Sequence, residues 1–339
     1  MQAIIQRTYG GPDVLEFADV PTPTPGPRDL LVQVRAVSVN PVDAKHRYRG
    51  GAAGDPVPGG VQILGWDAAG IVAAVGSDVA NFKLGDEVYF AGDITRPGSY
   101  AQFVAVDERI VGHKPTTLSF EEAAAIPLTA LTAWEGMIET MDAQRGRGPV
   151  PRTILIVGGA GGVGSIATQI ARQVCGLRVI ATASRPETIA FCRTMGAHDV
   201  INHHQDFVPQ LAALGLSGVD YIFSTAPLDN FPQLVASLNS LGKICVILGG
   251  DPAMALDVSG LFSKRGSLAF ELMFTRPRDG VEPERQGAIL NRVADLLDRG
   301  TLITTATDIR PWSDVQAAHQ AIESGHTIGK IVLQVESGG

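Results

Sequence analysis

Before residue 175 this 339-residue chain has no cysteine, and it holds only Cys175, Cys192 and Cys245 in all. That excludes a dense disulfide framework and a four-thiolate structural metal lobe. The three lie in apolar surroundings and read as reduced core residues of a cytosolic protein. No run of about 18 apolar residues occurs, so no membrane span is expected. Positive charge is also short: 27 Lys and Arg against 35 Asp and Glu leave a net charge of -8. A nucleic-acid partner would call for a basic face, so none is expected. Met1-Gln2-Ala3-Ile4-Ile5-Gln6 lacks a basic n-region and starts like a strand. No secretory signal is read there, and the expected location is cytoplasmic. The histidines, at 46, 113, 198, 203, 204, 319 and 326, lack metalloenzyme spacing. His203 and His204 would face opposite ways if they lay in a strand.

What the chain does have is a glycine loop between a strand and a helix. Ile154-Leu155-Ile156-Val157 reads as a buried parallel strand, and Ser165 to Arg172 opens a helix. Between them Gly159, Gly161 and Gly164 form G-x-G-x-x-G, with Ala160, Gly162 and Val163 completing the loop. The three glycines serve a tight turn, backbone approach to a pyrophosphate, and close helix–strand packing. Free N–H groups at the helix start then meet the phosphate charge. The expectation is a dinucleotide site; a tight turn without ligand is the alternative.

The next strand, Arg178 to Ala183, ends about twenty residues on, where an NAD site carries Asp or Glu for the ribose. This chain has Ala183-Ser184-Arg185 instead. Nothing there repels a 2′-phosphate, and a hydroxyl and a guanidinium can bind one, so NADPH is expected over NADH. Ser184 also matches the N-cap of a capping box with Glu187 at N3, and Arg185 can equally be solvated.

Residues 1 to about 125 are rich in short strands and turns, with candidates at 30–37, 70–76, 85–90 and 100–106, which suggests a small barrel or sandwich. From about 126 strands alternate with helices, predicting a right-handed doubly wound parallel sheet. Strands are expected at 153–158, 178–183, 198–201, 219–224, 242–248 and 267–272. Helices are expected at 130–141, 163–175, 186–195, 206–214 and 229–240, then at 285–299 and 313–323, before a last strand at 330–335. The expected division is 1–125, 126–273 and 274–339.

Several separate motifs now carry a resemblance. They are Ser38-Val39-Asn40-Pro41-Val42-Asp43, Ile63 to Gly70, Phe82 to Val88, Gly98 to Phe103, Ala124 to Ala133 and Gly329 to Leu333. Over essentially its whole length the chain resembles the medium-chain dehydrogenase/reductase superfamily, and within it the zinc-free quinone oxidoreductase branch. The resemblance implies an α/β protein: a GroES-like β-barrel catalytic domain, completed by the C-terminal tail, around an inserted Rossmann domain. It also implies a homodimer paired through sheet edges, for which Ser267 to Leu272 is the candidate. Zinc-dependent relatives place Cys where this chain has Asn40, and His-Glu where it has Trp66-Asp67, so the expected site is zinc-free.

Loss of the metal constrains the substrate. Reduction of a simple ketone leaves an alkoxide, with a conjugate acid near pKa 16; reduction of a quinone or conjugated enone leaves an anion nearer 10. That gap of about 6 units is worth about 8 kcal/mol. NADPH-dependent reduction of a quinone or α,β-unsaturated carbonyl is therefore expected, with the protein supplying position and a few hydrogen bonds. Asn40 is a candidate donor to the substrate oxygen, or else a turn residue before Pro41. Tyr48 can donate or stack, or lie on the surface; Trp66 is either a pocket wall or core. Asp43, Lys45 and His46 are weaker candidates for proton donation. For the cofactor the resemblance points to Thr129 near the nicotinamide ribose, or else a helix N-cap, and to His203 at the 2′-phosphate; Lys330 is a second candidate phosphate contact, or else a solvated lysine. Strand ends point to Thr225, Leu248 and Gly249; Phe270, Met273 and Phe274 either line the nicotinamide side or pack in the core. Two alternatives stay open: an alcohol dehydrogenase with an atypical zinc set such as Asp43, His46 and Asp67, and a non-catalytic NADPH-binding sensor.

Overall fold

The structure is a computed structural model describing residues 1–144, 146, 150–249 and 255–336, with Arg49 described by its backbone alone. By internal contacts the chain divides into two units, residues 1–128 with 274–339, and residues 129–273. The first boundary thus follows residue 128 rather than 125.

The first unit opens with β1 (Gln2–Gln6), β2 (Glu16–Asp19) and β3 (Asp29–Val39). In β3, Leu30, Val32, Val34 and Ala36 are buried and their neighbours are not, until burial becomes continuous at Ala36. That is the period-two pattern of a strand passing into a closed core. Helix α1 (Pro41–Arg49) follows. Pro41 holds the first helical position, and the Asp43 carboxylate accepts from the Asn40 backbone N–H at 2.7 Å. Both features start helices. No helix is expected there from apolar spacing, because its inward residues include Asp43 and Arg47. Then come β4 (Gln62–Ile63), β5 (Ala68–Val75), β6 (Glu87–Phe90), β7 (Phe103–Asp107) and β8 (Val111–His113), followed by α2 (Phe120–Ala124) and α3 (Pro127–Trp134).

The second unit alternates strand and helix. A π-helical turn, Glu135–Thr140, replaces the regular helix expected up to Met141. Next come β9 (Thr153–Val157), α4 (Gly162–Gln173), β10 (Arg178–Thr182), α5 (Pro186–Thr194), β11 (Asp199–Ile201), α6 (Phe207–Ala213), β12 (Val219–Ser224), α7 (Phe231–Ser237), β13 (Leu238–Val246), α8 (Ser259–Lys264) and β14 (Ser267–Phe270). The sheet order is β11-β10-β9-β12-β13-β14, parallel throughout. Numbered by appearance, that is 3-2-1-4-5-6, the doubly wound nucleotide-binding order, with its reversal between β9 and β12. Leu155, Ile180, Ile222 and Ile244 fill one face, fully buried. Strand β13 begins at Leu238, where the helix was expected to run to 240. Leu238 pairs with Val219, the register then shifts, and Leu241 turns the chain at φ 64°.

The chain returns to the first unit through α9 (Thr275–Asp279), α10 (Glu284–Asp298), β15 (Ala306–Pro311), α11 (Val315–Glu323) and β16 (Lys330–Gln334). There β16 lies antiparallel to β3, with Ile331 opposite Val39, in the sheet β15-β16-β3-β5-β6-β8; β7 also pairs with β3. The remaining sheet is β2-β1-β4.

The glycine loop separates fold from ligand. A Cβ on Gly164 would lie 2.1 Å from the Gly158 carbonyl oxygen. On Gly161, at φ -76° and ψ 174°, it would meet nothing nearer than 3.6 Å. Gly164→Ala is therefore expected to cost about 2 kcal/mol or more, and Gly161→Ala to leave stability within about 0.5 kcal/mol. Urea unfolding of both variants checks this; equal losses would contradict it.

Candidate active site

In the second unit, α4 starts at Gly162 with Gly161 as N-cap, and no side chain caps it. The first N–H groups of a helix have no partner inside it. Here Gly162, Val163 and Gly164 carry them, and Gly161 and Gly162 are partly exposed. No packing within the protein excludes a Cβ at Gly161, so its bare backbone leaves the loop open to an approaching group. The loop therefore fits a pyrophosphate on a physical ground of its own. Ala160 is buried behind it.

Around the loop, Ser184 and Arg185 are partly exposed after β10. The expected capping box is not formed. Helix α5 starts at Pro186 with Arg185 as N-cap, and the Thr188 hydroxyl accepts from Arg185 N at 3.1 Å. Proline at the first helical position shifts the start by one residue and leaves Ser184 outside. The Arg185 guanidinium lies 3.2 Å from Glu187, an exposed pair of small energetic weight. His203 and His204 sit in an exposed turn after β11, not in a strand, with ring centroids 4.4 Å apart. Thr225 follows β12 and donates its hydroxyl to Val157 O at 2.9 Å. Leu248 and Gly249 follow β13, partly buried and exposed respectively; Gly250 lies outside the described residues. Thr129 is buried in the first turn of α3, and Met273 is buried. Phe270, expected at the nicotinamide, is 59% exposed on β14, the last strand of the sheet order.

In the first unit a polar network is buried. The ammonium of Lys330, 3% exposed, lies 3.2 Å from Asp67 Oδ2, donates to Val39 O at 3.1 Å and bonds Asn40 Oδ1. Asp67 Oδ2 also accepts from Ser38 Oγ at 2.7 Å, and Oδ1 from Leu128 N at 3.1 Å. The Asn40 Nδ2 reaches Ser38 O, Trp66 O and Asp67 Oδ2 at 3.3, 3.4 and 3.3 Å. Burial raises the Asp67 carboxyl and lowers the Lys330 ammonium, and their attraction opposes both shifts.

A chain of donors runs from the same cluster. Arg47 NH2 reaches Glu323 at 2.5 Å, and Arg47 NH1 lies 2.7 Å from His319 Nδ1. Arginine only donates, so Nδ1 accepts and the proton sits on Nε2. Nε2 lies 3.2 Å from the Tyr100 hydroxyl, which therefore donates onward to Asp43 Oδ2 at 2.9 Å. Burial pushes Asp43 up to about 7, and burial with the neighbouring Arg47 cation pushes His319 down to about 3.

Residues 26–116 match the alcohol dehydrogenase GroES-like domain and residues 195–333 match the zinc-binding dehydrogenase family. A quinone oxidoreductase of Pseudomonas aeruginosa is 32% identical, covering 96% of this chain and 97% of that one. A Rhizobium etli crystal structure, provisionally described as a zinc-dependent alcohol dehydrogenase protein, is 44% identical. It has a TM-score of 0.90, over 100% of this chain and 98% of that one. The chain belongs to the medium-chain dehydrogenase/reductase superfamily. It is an oxidoreductase of that superfamily. A mycobacterial protein solved with NADPH is 29% identical, with a TM-score of 0.83 over 98% and 99% of the two chains.

The geometry bears on three of the candidate residues. Lys330 is not a phosphate contact, because its ammonium is buried and held by Asp67, Asn40 and Val39. Asn40, 1% exposed, is not a free donor, because both ends of its amide are engaged internally. Trp66 is core, its indole N–H bonded to Asp93 O at 3.2 Å. Tyr48 is 40% exposed on α1. Asp43, Tyr100, His319 and Arg47 were not expected as one group; only Asp43 carried a sequence signal.

The residues present do not fit a catalytic zinc. By the resemblance, Asn40 and Trp66 stand at ligand positions of zinc-dependent members, and the Lys330 ammonium is held between the Asn40 amide and the Asp67 carboxylate. Among the described residues no three His, Cys, Asp or Glu converge on one point.

Lys330→Met leaves Asp67 buried without its counter-charge and is expected to cost about 3–5 kcal/mol in urea unfolding. Unchanged stability would contradict the buried pair.

His319 binds fewer protons folded than unfolded, so its stabilising contribution is lost as pH falls from 6.5 towards 3. The ceiling is on the order of 5 kcal/mol. Asp43 has the opposite sign, its contribution being lost as pH rises from 3.8 towards 7. The penalty of His319→Gln is therefore expected to be larger at pH 7.5 than at pH 5. A penalty independent of pH would contradict a neutral buried imidazole.

Proposed function

We propose that the chain is an NADPH-dependent reductase that passes hydride to a quinone or an α,β-unsaturated carbonyl without a metal. The observation that carries this reading is the Lys330 ammonium, held by Asn40 and Asp67. By the superfamily resemblance, those two positions belong to the metal-binding region of zinc-dependent members. Without a Lewis acid, an acceptor whose reduced form is a phenolate or enolate is favoured over a simple ketone by about 8 kcal/mol.

Bound NADPH would supply the hydride. The chain's own residues do the rest. The N–H groups of Gly162, Val163 and Gly164 bind the pyrophosphate. Ser184 and Arg185 receive the 2′-phosphate, Arg185 giving up its exposed contact with Glu187 to do so. The absence of an acid at 183–185 and the NADPH bound by the mycobacterial relative support the same cofactor. The zinc in the names of other relatives is the point on which this reading departs from them. The reading includes a homodimer, because β14 ends the sheet order with Phe270 and Leu272 exposed.

The test is NADPH oxidation at 340 nm with 1,4-benzoquinone in EDTA, with NADH as comparator, on protein expected to sediment as a dimer. Turnover preferring NADPH is expected. Arg185→Glu should raise the KM for NADPH at least tenfold more than that for NADH. Loss of all activity in EDTA would overturn the metal-free reading, and equal effects on the two cofactors would overturn the phosphate assignment.

A further inference from the structure

Helix α1 presents four polar side chains beyond its cap, Asp43, Lys45, His46 and Arg47, before the exposed Tyr48. Asp43 and Arg47 are consumed by internal bonds. The Asn40 amide and the Asp67 carboxylate are consumed likewise. His46 differs from all of these. It is partly buried, and its ring meets Trp66 edge-on at 4.9 Å and 61°. Trp66 in turn packs edge-on against Phe274 at 6.2 Å. Neither ring nitrogen of His46 has a hydrogen-bond partner among the described residues. A partly buried imidazole without a partner, oriented by its edge-on contact with the Trp66 ring, has donor capacity left for a ligand.

The helix that carries it is held firmly. Asp43 and Asn40 fix its first turn. Arg47, the residue after His46, is tied to Gly10 O at 3.1 Å, to His319 and to Glu323. Such anchoring is what a donor needs if it is to cost little reorganisation when charge develops beside it.

We infer that His46 is a catalytic residue that donates a hydrogen bond to the substrate oxygen as hydride adds to a quinone or enone. The inference rests on the function proposed above. Hydride brings an electron pair to the electrophilic carbon. The conjugated π pair moves onto the oxygen, which becomes an enolate; from a quinone, loss of a proton from that carbon and its gain at oxygen then restore the aromatic ring of the hydroquinone. The His46 N–H stabilises that oxygen, and a proton from water completes the reduced product. NADPH is the reductant and becomes NADP⁺, so atoms and electrons balance. Burial holds the His46 imidazole below its usual 6.5, so at pH 7 the ring is neutral and acts as a donor without titrating. A neutral histidine can serve as such an electrophile.

The test compares His46→Phe, which keeps an aromatic ring against Trp66, with His46→Gln, which keeps an N–H donor. With NADPH and 1,4-benzoquinone, His46→Phe is expected to lower kcat about 100-fold. His46→Gln should retain at least a tenth of wild-type kcat, and in both variants the Kd for NADPH and the Tm should stay near wild type. A second arm needs no turnover. 4-Nitrophenolate, a stable aromatic oxyanion, should bind the wild-type protein about tenfold more tightly than His46→Phe. Wild-type turnover with His46→Phe within threefold of it would overturn the inference. So would equal 4-nitrophenolate affinities. Should the wild-type protein oxidise NADPH with no quinone or enone, the proposed function fails on its own, and the 4-nitrophenolate arm still decides for or against His46. Should His46→Phe not fold, a loss of more than tenfold in His46→Gln would also overturn the inference.

Discussion

The ion pair between Lys330 and Asp67 is the constraint on which the first unit depends. Both groups are buried, and neither is tolerable there without the other. They come together because β16, the last strand, pairs antiparallel with β3, so that Ile331 lies opposite Val39 and Lys330 reaches the start of α1. One end of the chain thus supplies the cation for a cluster built by the other. Such a pair is a weak source of net stability, since desolvation offsets much of the attraction. What it supplies is discrimination: any packing that leaves Asp67 and Lys330 apart carries two unpaired buried charges. The C-terminal return is therefore part of the first unit's core.

The donor chain carries that order outward. Arg47 cannot accept a proton, so it dictates the tautomer of His319, which dictates the direction of the Tyr100 hydroxyl, which leaves Asp43 as the acceptor. Every hydrogen bond in the sequence points one way. A chain with an arginine at its head does not pass protons from Glu323 inward, because the guanidinium stays protonated. Its effect is to hold α1, and with it the ring of His46, in one orientation.

How much of this is legible in the sequence depends on how far apart the partners lie. The glycine loop and its flanking strand and helix are consecutive residues, and their chemistry can be read directly, as can the alternation that makes the 3-2-1-4-5-6 sheet. Asn40, Trp66 and Lys330 read differently in sequence and in structure for one reason. An amide or an ammonium looks available until its partner is known, and here the partner of Asn40 is 290 residues away. Helix α1 escapes apolar periodicity because the side chains it buries include a carboxylate and a guanidinium, which such patterns count as outward. Arg47 and His319 carry no local signal at all; their roles exist only through contact.

The network also selects one arrangement of charge. Two ion pairs mark its ends, Lys330 with Asp67 and Arg47 with Glu323. Between them, burial and the Arg47 cation keep His319 neutral, since a second positive charge there would meet the first at hydrogen-bond distance. Burial likewise draws Asp43 towards its protonated form near neutrality, although Tyr100 and the Asn40 backbone both favour its anion. Asp43 Oδ2 takes both of those bonds, and Oδ1 has no partner among the described residues, so a proton can sit on Oδ1 without breaking either. Gain or loss of that proton therefore changes the charge of the cluster but not its geometry. Lys330 thus remains paired, and α1 remains held, across neutral pH.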